Sequence, residues 1–128
     1  MSSRRSAWLI DGNNVMGSRP DGWWRDRRGA ARALAAQLAD FAAREGAPVT
    51  VVFDGAPFEF EVPGEASLEV AFASRRGRDA ADDEIARRVA GAADPAALTV
   101  VTSDAGLARR VRDHGAEVVS AGRFRRGL

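Results

Sequence analysis

At 128 residues, 45% apolar, 29% charged and with a formal net charge of +1, the chain has the size and composition of one ordinary globular domain. The absence of cysteine excludes disulfides, zinc–thiolate sites and a thiol nucleophile. All 19 basic residues are arginine, which rules out lysine Schiff bases, a P-loop lysine and the lysine of haloacid-dehalogenase or receiver-domain sites, and the single histidine, His114, rules out histidine-rich metal sites and most catalytic triads.

No apolar run approaches membrane-spanning length. The basic start, residues 1–6, has no apolar signal core behind it, so a cytoplasmic location without membrane contact is expected, with residues 1–6 flexible. A short apolar run, Ala7-Trp8-Leu9-Ile10, ends on Asp11-Gly12-Asn13-Asn14 and reads as a buried strand over 7–10. Residues 13–26 read as a loop carrying Gly17, Pro20 and Gly22, with Trp23-Trp24 inside it. A helix is predicted over 27–44 from the apolar stripe Leu34, Leu38 and Phe41, stopped by Gly46 and Pro48. A strand over 49–53 runs into Asp54-Gly55. An alternating edge strand is predicted over 58–62, and a further strand over 68–72. Ser74 to Arg78 form a basic loop before a helix over 80–90 with Ile85 and Val89 inward. A strand over 98–102 runs into Ser103-Asp104, a helix over 105–113 ends at His114-Gly115, and a last strand covers 117–120. Residues 121–128 read as a short basic tail.

Strands alternate with helices, so the class is α/β: a single domain over 1–128 with a mostly parallel central sheet of about five strands and helices on both faces. Right-handed crossovers place the strand ends bearing Asp11, Asp54 and Asp104 on one edge, where open parallel sheets bind ligands. Asp79, Asp82 and Asp83 open the helix over 80–90 and add a fourth acidic cluster. One of the adjacent pair faces inward and Asp82 is favoured, with Asp83 flanking it. Crowded carboxylates raise one another's pKa unless a cation neutralises them. An oxygen-only donor set suits Mg²⁺ or Mn²⁺, whose retained waters can be activated against a phosphodiester. Asn14 adds a neutral amide, and Thr102 and Ser103 add hydroxyls. Each acid taken singly also has an ordinary role as a cap, first-turn acid or turn residue; capping does not, however, place acids at three strand ends on one edge.

The stretches Leu9-Ile10-Asp11-Gly12-Asn13-Asn14-Val15-Met16-Gly17, Val52-Phe53-Asp54-Gly55, Ala81-Asp82-Asp83-Glu84-Ile85 and Val101-Thr102-Ser103-Asp104 occur in that order. Together they resemble the NYN domains of the PIN-like nuclease superfamily, most closely the bacterial YacP-like branch. The resemblance implies a three-layer PIN-like fold and a metal-dependent endoribonuclease that uses Mg²⁺ or Mn²⁺. It implies catalytic roles for Asp11, Asn14, Asp82 and Asp104, and metal ligation by Asp11, Asp82 and Asp104 with Asp54 and Asp83 as further candidates. The position of Asn13 is commonly tyrosine or another larger residue in relatives. RNA is the implied substrate, the ribosome or translated mRNA an implied partner, and a monomer or homodimer the implied state.

RNA binding needs cations around such a centre. Arg75, Arg76 and Arg78 precede the acidic helix, and Arg25 lies beside Trp23 in the loop after Asp11, together with Arg19, Arg27 and Arg28. Arginine grips phosphate in a bidentate way, and an exposed tryptophan stacks on an unpaired base. With Ser103, the residues Arg75, Arg76, Arg78, Arg25 and Trp23 form the expected substrate-binding set. The main alternative is a catalytically inactive RNA-binding module of the same fold. A small-molecule phosphatase is disfavoured by Asp11-Gly12-Asn13 and the missing lysine, and a dinucleotide-binding domain by the lack of a Gly-x-Gly-x-x-Gly after the first strand.

Overall fold

The computed structural model describes residues 7–19, 21–55, 57–58, 67–73 and 80–128. Five strands form one sheet: β1 (Ala7–Asp11), β2 (Val49–Asp54), β3 (Leu68–Ala73), β4 (Leu98–Val101) and β5 (Glu117–Val119). Their order is β3-β2-β1-β4-β5 and every pairing is parallel. The helices are α1 (Gly12–Met16), α2 (Arg27–Glu45), α3 (Ala80–Ala90), α4 (Ala105–Asp113) and α5 (Ala121–Arg126).

The strands are apolar at nearly every position because both sheet faces are covered. Successive residues point to opposite faces. On β1 and β2, Trp8, Ile10, Val49, Val51 and Phe53 join Leu34 and Leu38 of α2 and Phe124 of α5 in one core. Leu9, Val52 and Val100 turn the other way, onto Ile85 and Val89 of α3 and Leu107 and Val111 of α4. The three-layer α/β expectation therefore holds. No helix of the described residues is long and apolar enough to cross a membrane.

Five of the six predicted strands and all three predicted helices are present, with ends differing by a residue or so. Gly46 ends α2 in the left-handed conformation, φ 63°, and its N–H reaches Ala42 O. Two expectations are corrected. Residues 13–26 are not all loop: they hold most of α1 and a 3-10 turn, Trp23–Arg25. A five-residue helix shows no apolar period, so it is invisible to a pattern read over several turns. The residues after β5 are not a loose tail. Ser120 caps α5 by accepting from Arg123 N at 3.3 Å. Phe124 is buried between Trp8 and Phe41, with ring centroids at 5.8 and 5.0 Å. The edge strand expected over 58–62 falls, beyond Phe58, outside the described residues; Phe58 itself lies in no strand and sets its ring against Phe72 at 5.2 Å. Residues 1–6 also lie outside them.

Phe124 anchors α5 through its ring, so Phe124→Ala is expected to cost about 3–5 kcal/mol of folding stability, the range for a buried aromatic truncation. Urea denaturation of the two proteins measures this directly.

Candidate functional site

From β1 the chain steps to β2 and β3 on one side, then returns to β4 and β5 on the other. The gap between the carboxyl ends of β1 and β4 is thus the switch point where α/β sheets open a crevice. Asp11, the last residue of β1, stands there with 5% of its surface exposed. Thr102, immediately after β4 and 2% exposed, donates its hydroxyl proton to Asp11 Oδ2 at 3.0 Å. The same hydroxyl oxygen accepts from Asp104 N at 3.1 Å. Asp11 Oδ1 caps α1 by accepting from Asn14 N at 3.4 Å.

Side-chain oxygens bind the neighbouring loop ends to this pair. Asn13 Oδ1 accepts from Asp54 N at 2.8 Å, and Asn14 Oδ1 accepts from Ser103 N at 2.6 Å. Asp54 Oδ1 accepts from Ala81 N at the start of α3, at 3.0 Å. Asp104 Oδ1 caps α4 through Leu107 N at 2.8 Å. Ser103 Oγ accepts from Ala121 N of α5 at 2.9 Å. The far end of α1 is held by Arg125, whose Nη1 donates to Val15 O and Met16 O at 3.0 and 3.3 Å while Nη2 pairs with Asp21 at 3.3 Å. Gly12 permits this seating: a Cβ there would lie 2.5 Å from the Phe53 ring.

Burial is the largest influence on Asp11 and pushes its carboxyl up from an ordinary 3.8 to about 6. The Thr102 and Asn14 hydrogen bonds oppose the rise, and the charges of Asp54 and Asp104 add to it. The strand-end acids therefore do converge on one edge. Among the described residues, no three acidic or histidine side chains gather closely enough to enclose an ion by themselves. Asp54 and Asp104 each give one oxygen to a backbone N–H, which leaves each a second oxygen. An oxygen-only, open and negatively charged edge suits a hard cation that keeps most of its own water, and so fits Mg²⁺ or Mn²⁺.

Asp82 and Asp83 lie on the first turn of α3, both half-buried. Asp83 is turned to α4, where Arg110 Nη1 reaches it at 2.9 Å. Arg75, Arg76 and Arg78, like Asp79, lie outside the described residues. Trp23 is half-buried, leans on the core of α2 and lines a hollow with Gln37 and Arg125, apart from the acidic edge. Trp24 is 50% exposed, with Arg25 over its ring at 6.0 Å. The parts that sequence reasoning undervalued are Thr102 as the link between two acids, Asn13 as the latch on Asp54, and Arg125 as the clamp on α1. The consecutive amides at 13 and 14 were the visible signal. Arg125 stood out in the sequence only as part of the basic tail, a weak candidate for substrate contact, and the Val15 carbonyl it holds lies 110 positions away.

Residues 8–128 match the family model described as the YacP-like NYN domain. Two crystal structures of Rae1 (YacP) from Bacillus subtilis are similar to this chain, each at 25% identity over 95% of it. The structure of a tryptophan-to-leucine mutant aligns with a TM-score of 0.74 over 74% of its own length, and the other with 0.70 over 72%. No curated protein sequence matches.

Two consequences are measurable. Gly12→Ala forces the ring of Phe53 or α1 to move, and a loss of about 1–3 kcal/mol in urea denaturation is expected. For Asp11, the folded state holds its proton to higher pH than the unfolded chain, so ionisation weakens folding as pH climbs from about 4 to above 6. The cost is about 3 kcal/mol at neutral pH. Glu69 and Glu84, held below the usual range chiefly by hydrogen bonds from Arg88 and Arg87, act in the opposite sense, so the variant must be compared with the parent. Asp11→Asn is expected to be more stable than the parent at pH 7.5 and to converge with it near pH 3.5.

Proposed function

The chain belongs to the YacP-like NYN domain family, a branch of the PIN-like nucleases, and on that premise we propose that it is a metal-dependent endoribonuclease. The observation that carries this reading is the Asp11 carboxylate, buried at the sheet's switch point, held by Thr102 at 3.0 Å and close enough to Asp54 and Asp104 to feel their charges. Asp11, Asp104 and Asp82 are the residues to hold Mg²⁺ or Mn²⁺, with Asp54 and Asp83 around them. When bound, a divalent ion supplies a more acidic water and stabilises charge developing on phosphate oxygens.

The protein's own groups prepare that chemistry. Thr102 and the Asn14 backbone fix both oxygens of Asp11, and each oxygen retains a further acceptor site. Asn14 uses its amide oxygen to hold the Ser103 backbone, which keeps the loop bearing Asp104 against α1. Its amide nitrogen remains available to orient a phosphate oxygen or a water. Water attacks phosphorus in line, leaving a 5′-phosphate and a 3′-hydroxyl. Because cation binding needs Asp11 ionised, activity falls as pH drops through about 6.

The reading of an inactive RNA-binding module draws on one observation, that among the described residues no three acids enclose an ion. It predicts RNA binding indifferent to EDTA, and no turnover. Association with the ribosome or translated mRNA stays with the nuclease reading as a proposal, as does a cytoplasmic setting.

The test uses single-stranded RNA with Mn²⁺ and the purified protein. Cleavage is expected to stop with EDTA and to fall at least about 100-fold in Asp11→Asn, consistent with loss of a preorganised electrostatic group. Mn²⁺ is expected to raise the melting temperature of the parent and not of Asp11→Asn. Cleavage that survives the substitution would overturn the reading.

A further inference from the structure

Beside Asp54, on the α2 side of the sheet, lies a hollow of about 290 Å³. Its floor is Met16, Ala31, Phe53 and Phe58, and its rim carries Arg27 and Arg28 from the first turn of α2. Asn13 and Asp54 also line it, and they are the hydrogen-bonded pair that joins α1 to the end of β2. The hollow is thus continuous with the acidic edge.

Its chemistry is mixed in a specific way. The floor is apolar and aromatic. Arg28 and Arg32 place their guanidinium groups over the Phe58 ring at 5.2 and 5.4 Å, while Arg27 lies over Trp23 at 5.5 Å. Neither Arg27 nor Arg28 forms an ion pair among the described residues. Asn13 spends its amide oxygen on Asp54 N, and its amide nitrogen donates to nothing among the described residues. The hollow therefore offers an apolar lining with guanidinium groups over its one half-buried ring, a neutral donor and two exposed cations within one small space. A flat base, a polar edge and an adjacent phosphate meet all three demands, and proteins read unpaired RNA by aromatic and guanidinium stacking of this kind. The volume, at the lower end of roughly 300–1,000 Å³ for small-molecule sites, suits one nucleotide.

We propose that this hollow is a nucleotide subsite: it receives the base of one unpaired ribonucleotide next to the cleaved position, against Met16, Phe53 and Phe58, with Arg27 and Arg28 on its phosphate. This rests on the reading of the acidic edge as a ribonuclease centre. It assigns the recognition of single-stranded RNA to the start of α2.

The test is a scan of single abasic positions along a short single-stranded RNA. Binding is read by fluorescence anisotropy in EDTA, and cleavage separately with Mn²⁺. In the parent protein, one abasic position is expected to weaken binding roughly tenfold, the scale of a lost base–aromatic stack. Arg28→Ala and Phe58→Leu are each expected to weaken intact RNA similarly and to remove the penalty at that position. Phe58→Leu keeps an apolar contact with Phe72, and circular dichroism checks that both variants fold. A penalty that persists unchanged in both variants, no penalty at any position, or no RNA binding by the parent would overturn the subsite. Binding that follows the expected pattern without cleavage in Mn²⁺ would support the subsite and sink the nuclease reading instead.

Discussion

The hydroxyl of Thr102 sits between two carboxylate-bearing loops, and the site depends on that one placement. It donates to the buried Asp11 at the end of β1 and accepts from the backbone of Asp104 after β4. Asp11 is costly to bury as an anion, and its neighbours Asp54 and Asp104 increase the cost. A fold that only needed a helix cap at this point would do as well with an uncharged serine, threonine or asparagine. An aspartate there lowers stability at neutral pH, and that cost is the ground for the chemical role proposed for it.

Around that pair, the loops are tied by side chains reaching for main-chain groups rather than for one another. Asn13 holds β2, Asn14 holds the loop after β4, Asp54 holds α3, and Ser103 holds α5. Each bond joins segments separated by at least 18 positions. The two hydrophobic cores press the helices onto opposite faces of the sheet, but apolar packing is indifferent to small slides along a strand. Directional hydrogen bonds at the carboxyl edge set the final placement. Arg125 extends the same logic from behind, clamping the last carbonyls of α1.

Charge is distributed unevenly between the two faces. On the α3 and α4 side, Arg87 and Arg88 pair with Glu84, Arg88 also with Glu69, and Arg110 with Asp83, while Arg109 and Arg112 of α4 form no ion pair among the described residues. These pairs are mostly exposed, so their contribution to stability is small. They neutralise the α3 end of that flank. At the start of α2, Arg27 and Arg28 lie over aromatic rings instead, which leaves their charge available to a polyanion. Under the proposed function, Arg27 and Arg28 are the cations that an RNA strand meets beside Asp54.

The alternation of apolar runs with helical stripes was enough to establish the α/β class, the parallel sheet and the gathering of Asp11, Asp54 and Asp104 at one edge. Those conclusions follow from chain periodicity and the handedness of crossovers, which are local properties. The likeness of Asp11-Gly12-Asn13-Asn14 and Thr102-Ser103-Asp104 to NYN domains was equally readable. What stayed hidden was set by contacts between distant positions. The short α1 is held by a cap and a clamp rather than by its own period. The segment after β5 becomes a helix because Phe124 finds Trp8 and Phe41. Which of the adjacent amides and acids touch which partner depends on orientation about helix axes, and Asp83 turned to Arg110 is one such outcome. A hollow of apolar side chains beside Asp54, drawn from four separate segments, exists only once β2 and α2 are packed together.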